Sequence, residues 1–166
     1  MASITDTVLR DAAAALGVTL LSQSLHIATA ESCTGGWVAK ALTDVAGSSE
    51  WVECGLVTYS NSAKIHLLGV TEVSLERHGA VSEPVVREMV AGALASTGAQ
   101  VALAISGIAG PGGGTPDKPV GTVWFSWGRL GRETEAVCEQ FRGDRDQVRR
   151  QAVLYALQGV RGYLEP

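Results

Sequence analysis

Residues 99–106 read Ala-Gln-Val-Ala-Leu-Ala-Ile-Ser, a nearly all-apolar run that leads into the glycine- and proline-rich stretch GIAGPGGGTPDKP. Alternation of apolar and polar residues marks a strand with one wet face. A short run without alternation fits a strand buried on both faces, at the centre of a sheet with helices above and below. That reading asks for helices on either side in the chain, and the sequence supplies them.

Upstream, Ser82-Glu-Pro84 opens a helix through VVREMVAGALAST, with proline early, where its missing N–H costs little. TEVSLERHG reads as a further helical turn or two, and NSAKIHLLGV as a short helix with Asn61 as its cap. SEWVECGLVTYS and LHIATAES are rich enough in β-branched and apolar residues for strands, and GWVAKALTDVAGSS between them reads as a helix closed by Gly47. Residues 5–22 carry Val8, Ala12, Ala15 and Leu16 at helical spacing. Downstream, VGTVWFSWG and RETEAVCEQF form a hairpin about Arg129-Leu-Gly131, and Gly143-Asp144 starts a last helix. Strand and helix alternate, so the expected fold is α/β: a three-layer α/β/α sandwich around a mixed sheet, one domain over residues 1–166. A ligand site then belongs at the carboxyl ends of the central strands.

The chain of 166 residues is 46% hydrophobic and 18% charged, with a mean hydropathy of +0.16. No apolar run approaches the roughly 20 residues of a membrane span. The amino terminus lacks a basic segment followed by an apolar one, so no secretory signal is expected. A net charge of −4 argues against general binding to nucleic acid. Cys33, Cys54 and Cys138 form no CxxC pair and are odd in number, which suits free thiols in a cytoplasmic protein. His26, His66 and His78 lack metal-ligand spacing, so no metal site is expected. The general frequency of symmetric pairs favours a homodimer.

Four stretches carry chemistry. In TAESCTGG, residues 29–36, Ser32 stands where a strand hands over to a helix, and Thr34, Gly35 and Gly36 can offer backbone N–H groups to an anion. Ser32 or Thr34 can equally be a plain helix cap. Lys64 falls in the first turn of its helix, where the dipole disfavours a cation; that placement, with burial, lowers a lysine pKa and suits it as the base for a serine. Tyr59 is near enough to relay or orient a proton, or it is a half-buried strand aromatic. The loop SGIAGPGGG matches neither a P-loop nor a dinucleotide fingerprint, yet it can close over a ligand with backbone donors. In GDRDQVRR, Asp144 and Gln147 form a capping box, and Arg145 and Arg149 share a helical face suited to a phosphate or to surface carboxylates.

Together TAESCTGGWVAKALTDVAGSS, GLVTYSNSAK, GAVSEPVV, ISGIAGPGGGTPDKPVGTVW and GDRDQVRRQAV resemble the CinA carboxy-terminal domain family, the nicotinamide-nucleotide amidases, over nearly the whole chain. The resemblance implies deamidation of nicotinamide mononucleotide to nicotinate mononucleotide and ammonia, a pyridine-nucleotide recycling reaction, with no metal or organic cofactor. It maps a catalytic serine, tyrosine and lysine onto Ser32, Tyr59 and Lys64. Cys33, Thr34 and Gly35 are then expected around the oxyanion, and Ser106, Gly107, Ala109, Gly110 and Arg145 around the substrate and its phosphate. Two rivals stay open: an amidase using Cys33 with His66 as base, and a module that senses the nucleotide without consuming it.

Overall fold

The computed structural model describes residues 3–165, so Met1, Ala2 and Pro166 of the expected 1–166 domain lie outside the described residues. Val101–Gly107 forms β3, and Val101 through Ile105 are 0 or 1% exposed, as a doubly covered strand requires. Parallel to it runs β1 (Ile27–Glu31), which pairs in turn with parallel β2 (Val52–Val57). On the other side β4 (Thr122–Arg129) and β5 (Glu135–Gln140) add antiparallel, giving a mixed sheet of order β2-β1-β3-β4-β5.

Alternate residues of β3 feed two cores. Val101, Leu103 and Ile105 pack with α1 (Asp6–Ser22), α2 (Trp37–Thr43) and α6 (Arg145–Leu164). Ala102 and Ala104 face α3 (Asn61–Leu68) and α5 (Glu83–Ser96), with α4 (Glu72–His78) against α5. Small alanines on that face let α5 lie close to the sheet. Each fully buried Leu or Ile contributes about 2 kcal/mol relative to its exposed state. This is the expected α/β/α sandwich. Among the described residues, no helix is long and apolar enough to cross a membrane.

Several boundaries differ from expectation. The second helix ends at Thr43, whose hydroxyl donates to the Ala39 carbonyl; Gly47, at φ 82°, instead begins a 3₁₀ turn over Ser48–Glu50. Residues 49–51 therefore stay outside β2. The cap of α3 is Ser60, which accepts from the Ala63 N–H, and Asn61 is already helical. Ser82 occupies the cap position of α5, but its hydroxyl donates to the Gly79 carbonyl. The capping box of Asp144 and Gln147 is formed on both sides.

One contact outside the strands sets the position of α3. Gly92 of α5 meets the backbone at Leu68, the last residue of α3, and a Cβ there would overlap the Leu68 carbonyl. The obstruction is main chain, so no rotamer change relieves it. Gly92→Ala is expected to destabilise the protein by about 3 kcal/mol, despite alanine's better helix propensity. Urea unfolding at neutral pH measures this; a gain in stability would show that α3 can shift without cost.

Candidate active site

Parallel strands β2 and β3 flank β1, and the chain leaves β1 toward one neighbour and later returns to the other. The carboxyl ends of β1 and β3 therefore border the crevice typical of open α/β sheets. Ser32 follows β1 directly, and its N–H donates to the Ile105 carbonyl of β3 at 3.0 Å. The chain then turns through Gly35 (φ 60°) and Gly36 (φ 95°) into α2, a left-handed pair that residues with a Cβ rarely adopt.

Lys64 reaches Ser32 from the other side of the sheet. Its Nζ lies 2.9 Å from Ser32 Oγ, 2.7 Å from the Thr58 carbonyl oxygen and 3.3 Å from the Tyr59 carbonyl oxygen. The side chain is 1% exposed and Ser32 is 8% exposed. Among the described residues no carboxylate forms an ion pair with it. Burial therefore pushes the Lys64 pKa down. A neutral amine has two N–H donors and one lone pair. In the structure Nζ donates to Ser32 Oγ as well as to the two carbonyls; in the neutral form the carbonyls can keep the two donors, which frees the lone pair to accept the Ser32 O–H. Beside this cluster, Thr58 Oγ1 is a buried side-chain oxygen without a hydrogen-bond partner among the described residues.

Glu31 was missed by sequence reasoning. It is 0% exposed, and its carboxylate accepts from the N–H groups of Gly36, Val38 and Ala39 and the hydroxyls of Thr29 and Thr34. An acidic residue ahead of a Gly-Gly turn was the available signal, since the free donors of a helix start attract an anion. Its presence changes the expected oxyanion donors. Glu31 takes the first N–H groups of α2, and the Gly35 N–H donates to the Ser32 carbonyl in a tight turn. Gly35 is therefore not a free donor; among the described residues the N–H groups of Cys33 and Thr34 are the ones in this turn without an acceptor.

The remaining expected residues divide. Tyr59 comes to Lys64 through its main-chain carbonyl; its ring is 61% exposed, and its hydroxyl accepts from Arg145 Nη2 at 3.2 Å. The phenol thus has no bond to Ser32 or Lys64, because the chain leaves β2 with that side chain facing outward. Arg145 also donates to the Gly110 carbonyl at 2.8 Å, so it spans the Tyr59 side and the 108–121 loop. Ser106 is 1% exposed and shares the strand face of Ala102 and Ala104, the side from which Lys64 comes. Gly107 abuts Val123 with no room for a Cβ, Ala109 belongs to the core on the opposite face, and Gly110 adopts φ 84° against Val120. These three shape the loop rather than present side chains. Arg149 parts from Arg145: it donates to the carbonyls of Cys33 and Thr34 at 3.1 and 3.0 Å.

Cys33 and His66 do not form a pair. Cys33 is buried and its thiol is pushed up to about 12, first by burial and then by Glu31, while exposed His66 has its Nδ1 on the Ser62 carbonyl. Cys138 is an exposed thiol. Iodoacetamide at neutral pH is expected to modify Cys138 and spare Cys33, as read by peptide mass mapping. Rapid labelling of Cys33 would contradict this closed, thiol-protonated environment.

Residues 9–164 match the model of the family described as the CinA C-terminal domain. The chain is 56% identical over 155 residues to the nicotinamide-nucleotide amidohydrolase PncC of Escherichia coli K12, covering 93% of this chain and 94% of that protein. It is 54% identical over 145 residues to the protein of the same name from Pseudomonas putida, covering 87% and 90%. Among solved structures, the competence/damage inducible protein CihA from Agrobacterium tumefaciens superposes with a TM-score of 0.93 at 36% identity, covering 99% of each chain.

Proposed function

This chain belongs to the CinA C-terminal domain family, and we propose that it hydrolyses the carboxamide of nicotinamide mononucleotide, with Ser32 as nucleophile and Lys64 as base. The observation that carries the mechanism is the buried 2.9 Å contact between Lys64 Nζ and Ser32 Oγ, with no counter-ion for the amine among the described residues. The amidohydrolase name of close relatives carries the reaction class and the nucleotide substrate.

In this mechanism the Ser32 oxygen attacks the carboxamide carbon as its proton passes to Lys64 Nζ. The tetrahedral oxyanion receives the Cys33 and Thr34 N–H groups, a kind of contact worth about 3 kcal/mol of barrier for each donor. Lys64 then returns the proton to the amide nitrogen, the C–N bond breaks and ammonia leaves. Water, deprotonated by the same amine, cleaves the Ser32 ester to release nicotinate mononucleotide and regenerate the hydroxyl. The Thr58 and Tyr59 carbonyls hold the lysine lone pair toward Ser32, so Tyr59 acts on the base through its main chain. Its phenol and the Arg145 guanidinium sit at the exposed side of the site, where they suit the ribose and phosphate. Arg145 has no carboxylate partner among the described residues, which leaves its charge available to an anion. The product carries a carboxylate in place of the amide and suits reuse in pyridine-nucleotide recycling.

Purified protein in chelating buffer, given nicotinamide mononucleotide or free nicotinamide, tests the proposal by ammonia release. Release from the nucleotide and little from the free base is expected. A folded protein that binds the nucleotide and releases no ammonia would favour the sensing module.

A further inference from the structure

Arg149 is placed unlike its neighbour Arg150. Arg150, next in sequence, pairs with Asp6 and Asp146, as surface arginines commonly do. Arg149 is half-buried, forms no ion pair among the described residues, and commits its guanidinium to two backbone carbonyls, Cys33 through Nε and Thr34 through Nη2. Its ζ-carbon lies 5.1 Å from the Trp37 ring centroid, which helps fix the fork in place. Those carbonyls belong to the turn that carries Ser32.

We propose that Arg149 is a positioning residue for the oxyanion site, acting by polarising the Cys33–Thr34 peptide and aiming the Thr34 N–H at the reacting carbonyl. The inference rests on the amidase reading above for its catalytic consequence. The Cys33–Thr34 peptide is trans, so its C=O and N–H point in opposite directions. Arg149 comes from α6, on the α1–α2 side of the sheet, and holds the C=O toward itself. The Thr34 N–H of that peptide therefore points away from Arg149, and it has no acceptor among the described residues. A cationic donor on the carbonyl also draws electron density from the amide, so the opposite N–H becomes a stronger donor. The second carbonyl has a different task. Thr34 O accepts from Arg149 and from the Trp37 N–H, while the Gly35 N–H of that peptide closes the turn onto Ser32 O. Arg149 thus fixes the turn at one peptide and, at the other, polarises a buried N–H that has no acceptor among the described residues.

The test is Arg149→Ala assayed with nicotinamide mononucleotide, with and without added guanidinium, beside amide ¹H–¹⁵N spectra of the substrate-free protein. The expected result is a kcat lower by roughly 10²-fold, the size of losing one oxyanion donor, with KM changed less than about threefold and kcat partly restored by guanidinium in a saturable way. The Thr34 amide resonance should move upfield and return when guanidinium is added. An unchanged kcat, or a loss that guanidinium does not touch, overturns the assignment. If Arg149→Ala does not fold, Arg149→Lys keeps the charge but reaches one carbonyl, and wild-type kcat in that variant overturns it. Should wild-type protein release no ammonia at all, the amidase reading falls, and the Thr34 amide decides about Arg149 by itself: a shift reversed by guanidinium supports the polarisation, and an unmoved resonance refutes it.

Discussion

Ser32→Ala is expected to lower the rate of ammonia release from nicotinamide mononucleotide by about 10⁴-fold or more, the scale on which serine hydrolases lose activity without their nucleophile. The fold should tolerate the change. Ser32 is held by its backbone, through its N–H to Ile105 and its carbonyl from Gly35, and among the described residues its side chain bonds only to Lys64. Circular dichroism should therefore show an unchanged melting curve, and nucleotide binding should stay within a few-fold of wild type. Equal rates in mutant and wild type would remove Ser32 from the mechanism.

Lys64→Met should match that loss in rate, and the double mutant should be no worse than either single one, because in the proposed mechanism the two groups act as a unit. Its effect on stability should have the opposite sign. Burial holds the Lys64 pKa below its ordinary value, so the folded chain resists a proton that the unfolded chain accepts. As pH falls from the ordinary lysine value toward the depressed one, this group costs the fold progressively more stability. Below the depressed pKa the cost is constant. Methionine fills similar space without an amine to desolvate, so Lys64→Met should raise the melting temperature at neutral pH and remove that slope at alkaline pH. In the wild type, kcat/KM should rise with pH to a plateau as Lys64 loses its proton, with a midpoint below the ordinary lysine range. An inactive variant that melts lower than wild type would mean the lysine is held charged by interactions stronger than its burial cost.

What could be read from the chain followed from properties that travel with short segments. The apolar 101–105 run set the centre of the sheet, and the Asp144–Gln147 capping box set the start of α6. Lys64 was legible because a lysine in the first turn of a helix breaks a local rule that only tertiary structure can repay. What stayed hidden depends on contacts between distant segments or on side-chain direction. Gly92 looks like a tolerable helix glycine until α3 is seen against it. Glu31 reads as a strand-end acid until α2 folds its N–H groups back onto it. Tyr59 stands in the expected place, yet its carbonyl rather than its phenol meets the lysine, a distinction carried by one turn of backbone at the exit of β2. Arg145 and Arg149 share a face of α6 and still diverge, because one meets the 108–121 loop and the other the Ser32 turn.

In the proposed mechanism Ser32 forms an ester with the nicotinate nucleotide before water releases it. Hydroxylamine added to a reaction of wild-type protein with nicotinamide mononucleotide tests this directly, because it intercepts an acyl-enzyme as the hydroxamate. Hydroxamate and acid are expected in a ratio that follows the hydroxylamine concentration, with neither product from Ser32→Ala. Ammonia and acid formed without hydroxamate would mean that water attacks the carboxamide directly, and would contradict the covalent mechanism.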